Sequence, residues 1–175
     1  MLHLVTGAPG AGKSTVIAHL AAYPFTAVDF DELIGPVGSL LGMDLTSASA
    51  GLAWPGYNRL WARIIALMLR SGRPVLVMCP LSPDEWARAA SDVAGLPEPL
   101  WARLDCDGAD RRARLAARGW DREQIDNALG DADELRRVIG RAFTTSGRGP
   151  AEVAADLAGW VGEAPRKTPR IRTDM

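Results

Sequence analysis

The sequence predicts an α/β fold in which helices cover both faces of a five-stranded parallel sheet, and three observations lead to it. Short apolar runs at Leu2–Thr6, residues 25–29, Val75–Cys79 and Leu100–Asp105 have the length and composition of buried strands. Segments of helical periodicity lie between them, as parallel strands require of their crossovers. A glycine-rich stretch separates the first run from the first helical segment, and in such folds ligands gather at the carboxyl ends of the strands.

Each element has its own signal. Leu2–Thr6 is apolar enough to be buried on both faces, and residues 7–12 are glycine-rich before a helical pattern that runs from Lys13 to about residue 22. The second run ends in the acid Asp29. Residues 31–57 hold Gly35, Pro36, Gly38, Gly42, Gly51 and Pro55, a density of breakers that predicts an irregular cap. From Tyr57 onward Leu60, Trp61, Ile64, Ile65 and Met68 recur at spacings of three and four, so an amphipathic helix should run to near Gly72. Val75–Cys79 is the third strand. Ser82, Pro83 and Glu85 form a helix-start signature, predicting a helix to about residue 94. Leu100–Asp105 is the fourth strand; an arginine-rich helix over 110–118 follows, and Asp121 with Gln124 starts another. Residues 142–145 make a weak fifth strand, and Gly149-Pro150 opens a last helix to about residue 161. The tail 162–175, with Pro165, Arg166, Lys167, Pro169, Arg170 and Arg172, reads as disordered.

Bulk properties narrow the function classes. A chain of 175 residues, 47% hydrophobic, suits one core and not two, so one domain over 1–161 is expected. The net charge of -1 supplies no global field towards nucleic acid or an anionic membrane, so any phosphate must be held locally. No apolar run approaches the roughly 18 to 20 residues of a membrane span, and no cleavable leader pattern opens the chain. Cys79 and Cys106 match neither a disulfide framework nor a metal-ligand spacing and read as buried, inert thiols. These features agree with a reducing cytoplasm.

One motif carries the chemistry. Gly7-Ala8-Pro9-Gly10-Ala11-Gly12-Lys13-Ser14 matches G-x-x-x-x-G-K-[ST] in full, between a strand and a helix, followed by Thr15. Glycines let consecutive backbone N–H groups turn in around a phosphate, and the helix that follows points its positive end at the same anion. Lys13 supplies an ammonium for the β and γ phosphates, and the Ser14 hydroxyl is a ligand for Mg²⁺. The chain has only two lysines, Lys13 and Lys167, so a lysine here is unlike casual surface charge. The bland alternative is a glycine-rich turn beside an exposed lysine.

With this loop in place, the chain resembles the small P-loop kinases of the nucleoside monophosphate kinase-like group over residues 2–161. Within that group it is nearest to the chloramphenicol phosphotransferase-like and AAA-type small-molecule kinases. The resemblance implies a P-loop NTPase three-layer sandwich with a short arginine-bearing lid, ATP and Mg²⁺ as cofactors, and phosphoryl transfer to a small hydroxylated acceptor.

Asp29-Phe30-Asp31 closes the second strand and resembles the acid pair of shikimate kinase; Asp31-Glu32-Leu33-Ile34 aligns with the chloramphenicol phosphotransferase pattern. A carboxylate here can accept the proton of an attacking hydroxyl. Asp31 is therefore assigned to the acceptor and Asp29 to Mg²⁺ or its waters, with a solvated strand end or a helix N-cap, Asp31 above all, as the alternative. Cys106-Asp107-Gly108-Ala109 with Arg114, Arg118, Gly119 and Arg122 resembles the group's lid, giving a lid region over 111–128. Arg114 is assigned to nucleotide, Arg118 and Arg122 to the migrating phosphoryl group. Arg111 and Arg112 read as solvated surface charges. Residues 142–150, including Thr144 and Thr145, resemble the adenine-side loop.

Absences shape the acceptor. No N-K-x-D motif reads guanine, and the third strand ends Met78-Cys79-Pro80 without an acid, which argues against a switch GTPase. The triple glycine of shikimate kinase is missing, which argues against shikimate. A substrate cap over 33–57 offers Leu40, Leu41, Met43, Leu45, Trp54 and Tyr57 but no basic residue, suiting a neutral, partly apolar acceptor. Tyr57 and Arg59 are its candidate substrate residues, though Arg59 and Arg63 read equally well as solvated. Trp61 and Ile64 read as core. The leading expectation is an ATP-dependent kinase acting on a small-molecule hydroxyl, such as that of an antibiotic or other natural product. The alternatives are a nucleoside or nucleotide kinase, and a nucleotide-dependent regulatory protein without an acceptor. Neither the oligomeric state nor the acceptor's identity is legible.

Overall fold

The structure, a computed structural model, describes residues 1–34, 38–40, 43–44 and 50–163. Strands β1 (Leu2–Thr6), β2 (Thr26–Asp29), β5 (Val75–Cys79), β6 (Leu100–Asp105) and β7 (Ala142–Thr144) form a five-stranded sheet in the order β2-β5-β1-β6-β7. Every pairing in it is parallel. β3 (Ser39–Leu40) and β4 (Met43–Asp44) make a separate antiparallel pair. The helices are α1 (Lys13–Ile17), α2 (Ala50–Leu69), α3 (Pro83–Ala90), α4 (Gly108–Ala116), α5 (Arg122–Val138) and α6 (Pro150–Gly162).

The two faces of the sheet follow from the alternation of side chains along each strand. Leu2 and Leu4 of β1 with Val75, Val77 and Cys79 of β5 pack against Tyr57, Trp61 and Ile65 of α2 and Trp86 of α3. The intervening Val5, Leu76 and Met78, joined by Ala102 and Leu104 of β6, pack against Val16 of α1 and Val153, Leu157 and Trp160 of α6. Both faces are covered, so β1 and β5 are buried along their whole length, with His3 and Thr6 of β1 the polar residues among them. All five strands run the same way, and their carboxyl ends share one edge. β1 is flanked by β5 on one side and β6 on the other, so the loop after β1 leaves the sheet where the strand order reverses.

Several boundaries differ from the sequence expectation. α1 is regular only to Ile17, with turns beyond it. α2 begins at Ala50 rather than Tyr57 and carries Pro55 inside it, so part of the expected irregular cap is helix. Proline there forfeits its N–H bond and crowds the carbonyl of the preceding turn, while the apolar face anchored by Tyr57, Trp61 and Ile65 holds the helix to the sheet. α3 ends at Ala90, earlier than its pattern suggested, and α4 starts at Gly108. The expected caps are present: Ser82 with Glu85, and Asp121 with Gln124, each form a reciprocal capping box. Leu41 and Leu45 of the expected cap, and 164–175 of the expected tail, lie outside the described residues.

Candidate active site

The phosphate-type loop is shaped by glycines at positions where no other residue fits. Gly10 and Gly12 hold φ of 81° and 96°, the left-handed region that glycine enters without a Cβ penalty. At Gly7 the constraint is space: a Cβ would lie 2.9 Å from the carbonyl oxygen of Leu104. Ala11 N–H donates to the Ala8 carbonyl at 3.1 Å, closing the loop on itself. Lys13 folds back so that its ammonium donates to the Gly7 carbonyl. Burial pushes its pKa down, while the nearby Asp29 and Asp31 carboxylates oppose that shift.

The two acids at the end of β2 have distinct settings. Asp29, buried, is the N-cap of a short 3-10 turn (Phe30–Leu33): its side chain accepts the Asp31 N–H at 3.1 Å, and Glu32 accepts the Asp29 N–H at 3.1 Å. The cap is therefore Asp29, where the sequence had offered Asp31 for that role. Burial raises the pKa of Asp29, with the backbone N–H of Asp31 working against the rise. Asp31 is exposed. The turn is fastened from behind, because the Phe30 carbonyl accepts from both the Tyr57 hydroxyl and Trp61 Nε1, the latter at 3.1 Å.

Loop and acids line one cavity of ≈ 830 Å³. Gly7 to Ser14, Asp29 and Asp31 lie along it together with Asp84, Glu85 and Arg88 of α3, Arg118 and Trp120, and Asp131, Glu134, Leu135 and Val138 of α5. The sequence reading thus converges on Lys13, Ser14, Asp29, Asp31 and Arg118. Thr15 is exposed on α1 one position beyond the lining. Arg114 stands beneath the loop, donating to the Gly10 carbonyl at 3.1 Å and to the Thr145 hydroxyl at 2.9 Å. Thr145 in turn donates to the Ala11 carbonyl at 3.0 Å, which ties the end of β7 to the loop.

Besides Thr15 and Arg114, three more assigned residues are not among the lining. Tyr57 is buried, with its hydroxyl on Phe30. Arg59 is half exposed and lies 3.5 Å from Asp92. The Arg122 side chain is 96% exposed, 3.7 Å from Asp126 on its own helix.

Arg111 requires a correction. Read from sequence as a solvated charge, it is fully buried. Its guanidinium donates to the carbonyls of Ala8 at 3.2 Å and Pro9 at 2.5 Å, and to Asp105 Oδ1 at 2.9 Å. Burial would raise the Asp105 pKa, but hydrogen bonds from Arg136 and the Cys106 N–H, with the charges of Arg136 and Arg111, hold it below the usual carboxylate range. A strand-end acid followed six residues on by an arginine was the available signal; neighbouring Arg112 and Arg114 masked it. The cysteines are both buried and free, and burial pushes the Cys79 thiol up to about 12, leaving it unreactive.

No family model matches the sequence, and no curated protein matches it. Solved structures do match in fold. The tunicamycin resistance protein of Deinococcus radiodurans superposes with a TM-score of 0.65 at 19% identity, over 93% of this chain and 96% of that one. Shikimate kinase from Acinetobacter baumannii gives 0.63 at 16% identity, over 91% of each chain. A sugar kinase from Janibacter sp. gives 0.62 at 16% identity, over 94% of this chain and 95% of that one. The fold is that of the small P-loop kinases, an α/β sandwich on a five-stranded parallel sheet. Among the described residues no helix is long and apolar enough to cross a membrane.

Proposed function

We propose that the protein is an ATP-dependent kinase that transfers the γ-phosphoryl group to a hydroxyl of a small molecule. The observation that carries this reading is that a complete G-x-x-x-x-G-K-S loop, the exposed carboxylate of Asp31 and the guanidinium of Arg118 line one cavity. Structures named as kinases of a sugar and of shikimate share the fold, which supports a small-molecule acceptor.

The residues divide the work. Loop N–H groups and Lys13 bind the phosphates, and Arg114 holds the loop from below. Asp31 takes the proton of the attacking hydroxyl as its oxygen bonds to the γ phosphorus and the bond to the β-γ bridging oxygen breaks, releasing ADP. Arg118 and Lys13 offset the charge on the migrating group.

The donor set suits Mg²⁺: Ser14 and Asp29 offer hard oxygens on one cavity, and no group of three or more His, Cys, Asp or Glu among the described residues forms a protein cage. Mg²⁺ typically takes one or two protein ligands and completes its shell with phosphates and water. When bound, it neutralises charge on the β and γ oxygens.

Beyond the phosphates the walls carry Asp31, Asp84, Asp131 and Glu134 against Arg88. Burial first, and the neighbouring Glu134 second, raise the pKa of Asp131. An acceptor already bearing a phosphate would meet repulsion there, which favours an uncharged or cationic hydroxyl compound, the antibiotic and natural-product class included, over a nucleotide. The test is ADP release with Mg-ATP across neutral alcohols, sugars, nucleosides and hydroxylated antibiotics. Stimulation by one class, lost in Asp31→Asn with ATP binding retained, supports the reading. Tight ATP binding with no stimulation by any acceptor, and no change on Asp31→Asn, favours a regulatory nucleotide-binding protein.

A further inference from the structure

We propose that Arg111 is a positioning residue of the phosphate loop, setting the Ala8-Pro9 segment in its working shape before a ligand arrives. Its guanidinium spans the loop carbonyls of Ala8 and Pro9 and the carboxylate of Asp105 at the end of β6. Its stem supports the same loop from below, since a Cβ on Gly10 would sit 3.2 Å from Arg111 Cγ. One side chain therefore touches three consecutive loop residues from the side away from the cavity.

Packing alone does not account for an arginine here. Arg111 is entirely removed from solvent, and its Nε has no hydrogen-bond partner among the described residues. A desolvated cation with a vacant donor is an expensive way to fill volume, and apolar residues of similar size often replace buried ion pairs without loss of stability. Asp105 has a second cation besides Arg111. Arg136 engages both of its oxygens, Oδ2 at 2.7 Å and Oδ1 at 2.9 Å. What Arg111 supplies, and neither Arg136 nor Arg114 does, is charged donation to the carbonyls of Ala8 and Pro9. That charge also contributes to lowering the Lys13 pKa.

The inference extends the kinase reading, yet part of its test is independent of it. Ala8 O accepts from Arg111 and also from the Ala11 N–H at 3.1 Å, so the Ala11 amide reports directly on the held segment. Hydrogen exchange at Ala11 in the ligand-free full chain is compared among wild type, Arg111→Met and Arg136→Met, with Mg-ADP affinity by calorimetry and the unfolding midpoint alongside. Arg136→Met also strips a guanidinium from Asp105 but touches no loop carbonyl. The expected result is exchange at Ala11 faster by about tenfold or more, and Mg-ADP binding weakened by about tenfold or more, in Arg111→Met only. Exchange and affinity within about twofold of wild type in Arg111→Met, or equal changes in Arg136→Met, would overturn the proposal. If Arg111→Met fails to fold, Arg111→Lys decides, since it keeps the charge and loses the fork: faster Ala11 exchange is expected, and unchanged exchange overturns the idea. Wild-type protein that does not bind Mg-ADP would remove the kinase reading and leave the exchange comparison to decide on Arg111.

Discussion

Asp29 holds Asp31 in place: its side chain accepts the Asp31 backbone N–H at 3.1 Å, fixing the turn from which the second carboxylate reaches the cavity. Two acids separated by one residue thus have different tasks, one anchored and buried, the other exposed. Asp31→Asn should lower acceptor-dependent turnover by about 100-fold or more while Mg-ADP affinity stays within about twofold. Asp29→Asn keeps an oxygen for the cap but removes a charge, so its main effect should be a higher Mg²⁺ concentration for half-maximal rate. Steady-state ADP release with Mg²⁺ titration separates the two, and an Asp31→Asn enzyme with wild-type turnover would remove Asp31 from the mechanism.

Arg118 lines the cavity, whereas the Arg122 side chain is 96% exposed. Arg118→Ala should reduce kcat by about 100-fold or more, the scale on which an arginine stabilises phosphoryl transfer. Arg122→Ala should fall within about twofold of wild type unless the segment between α4 and α5 rearranges when substrates bind. A large kcat effect at Arg122 with normal stability would be direct kinetic proof of that rearrangement.

Tyr57 serves the turn bearing Asp31 rather than the substrate itself. Its hydroxyl donates to the Phe30 carbonyl, which Trp61 Nε1 also reaches. Tyr57→Phe should cost about 1 kcal/mol in denaturant unfolding, the worth of one buried hydrogen bond, because the carbonyl keeps its second donor. Acceptor KM should not change. A KM rise of tenfold or more would instead give Tyr57 the substrate contact that its sequence position suggested.

His3 sets a pH dependence of stability. It is fully buried in β1, edge-on to Trp160 with ring centroids 4.7 Å apart. Burial, helped by the N-terminal ammonium, lowers its pKa from 6.5 to about 4. Below about pH 6.5 the unfolded chain takes up a proton that the folded chain refuses, so the unfolded state binds more protons and stability drops as the pH is lowered. The contribution is complete above that value, is lost progressively towards about pH 4, and amounts to about 2 kcal/mol between about pH 7 and about pH 5. Denaturant titrations at the two pH values check this, and His3→Phe should flatten the difference. An equally steep loss in His3→Phe would assign it to other groups.

The layered α/β fold was legible because its signals are local. Runs such as Val75–Cys79 show their burial by composition, Ser82 with Glu85 and Asp121 with Gln124 cap their own helices, and Gly7 to Ser14 completes its motif in contiguous residues. Periodicity and composition thus gave the strands and most helices, the motif gave the loop, and the resemblance resting on that loop gave the small P-loop kinase fold. Only the tertiary structure decided which arginine is buried and which acid is the cap. Arg111, Arg114 and Arg118 lie on one short stretch of chain and look alike in sequence. One lies under the loop against Asp105, one bridges Gly10 to Thr145, and one faces the cavity. The hydrogen-bond partners of Arg111 and Arg114 lie 31 or more residues away along the chain, apart from Asp105. A side chain's charge is written in the sequence; whether water or a distant carbonyl surrounds it depends on how the strands bring remote segments together.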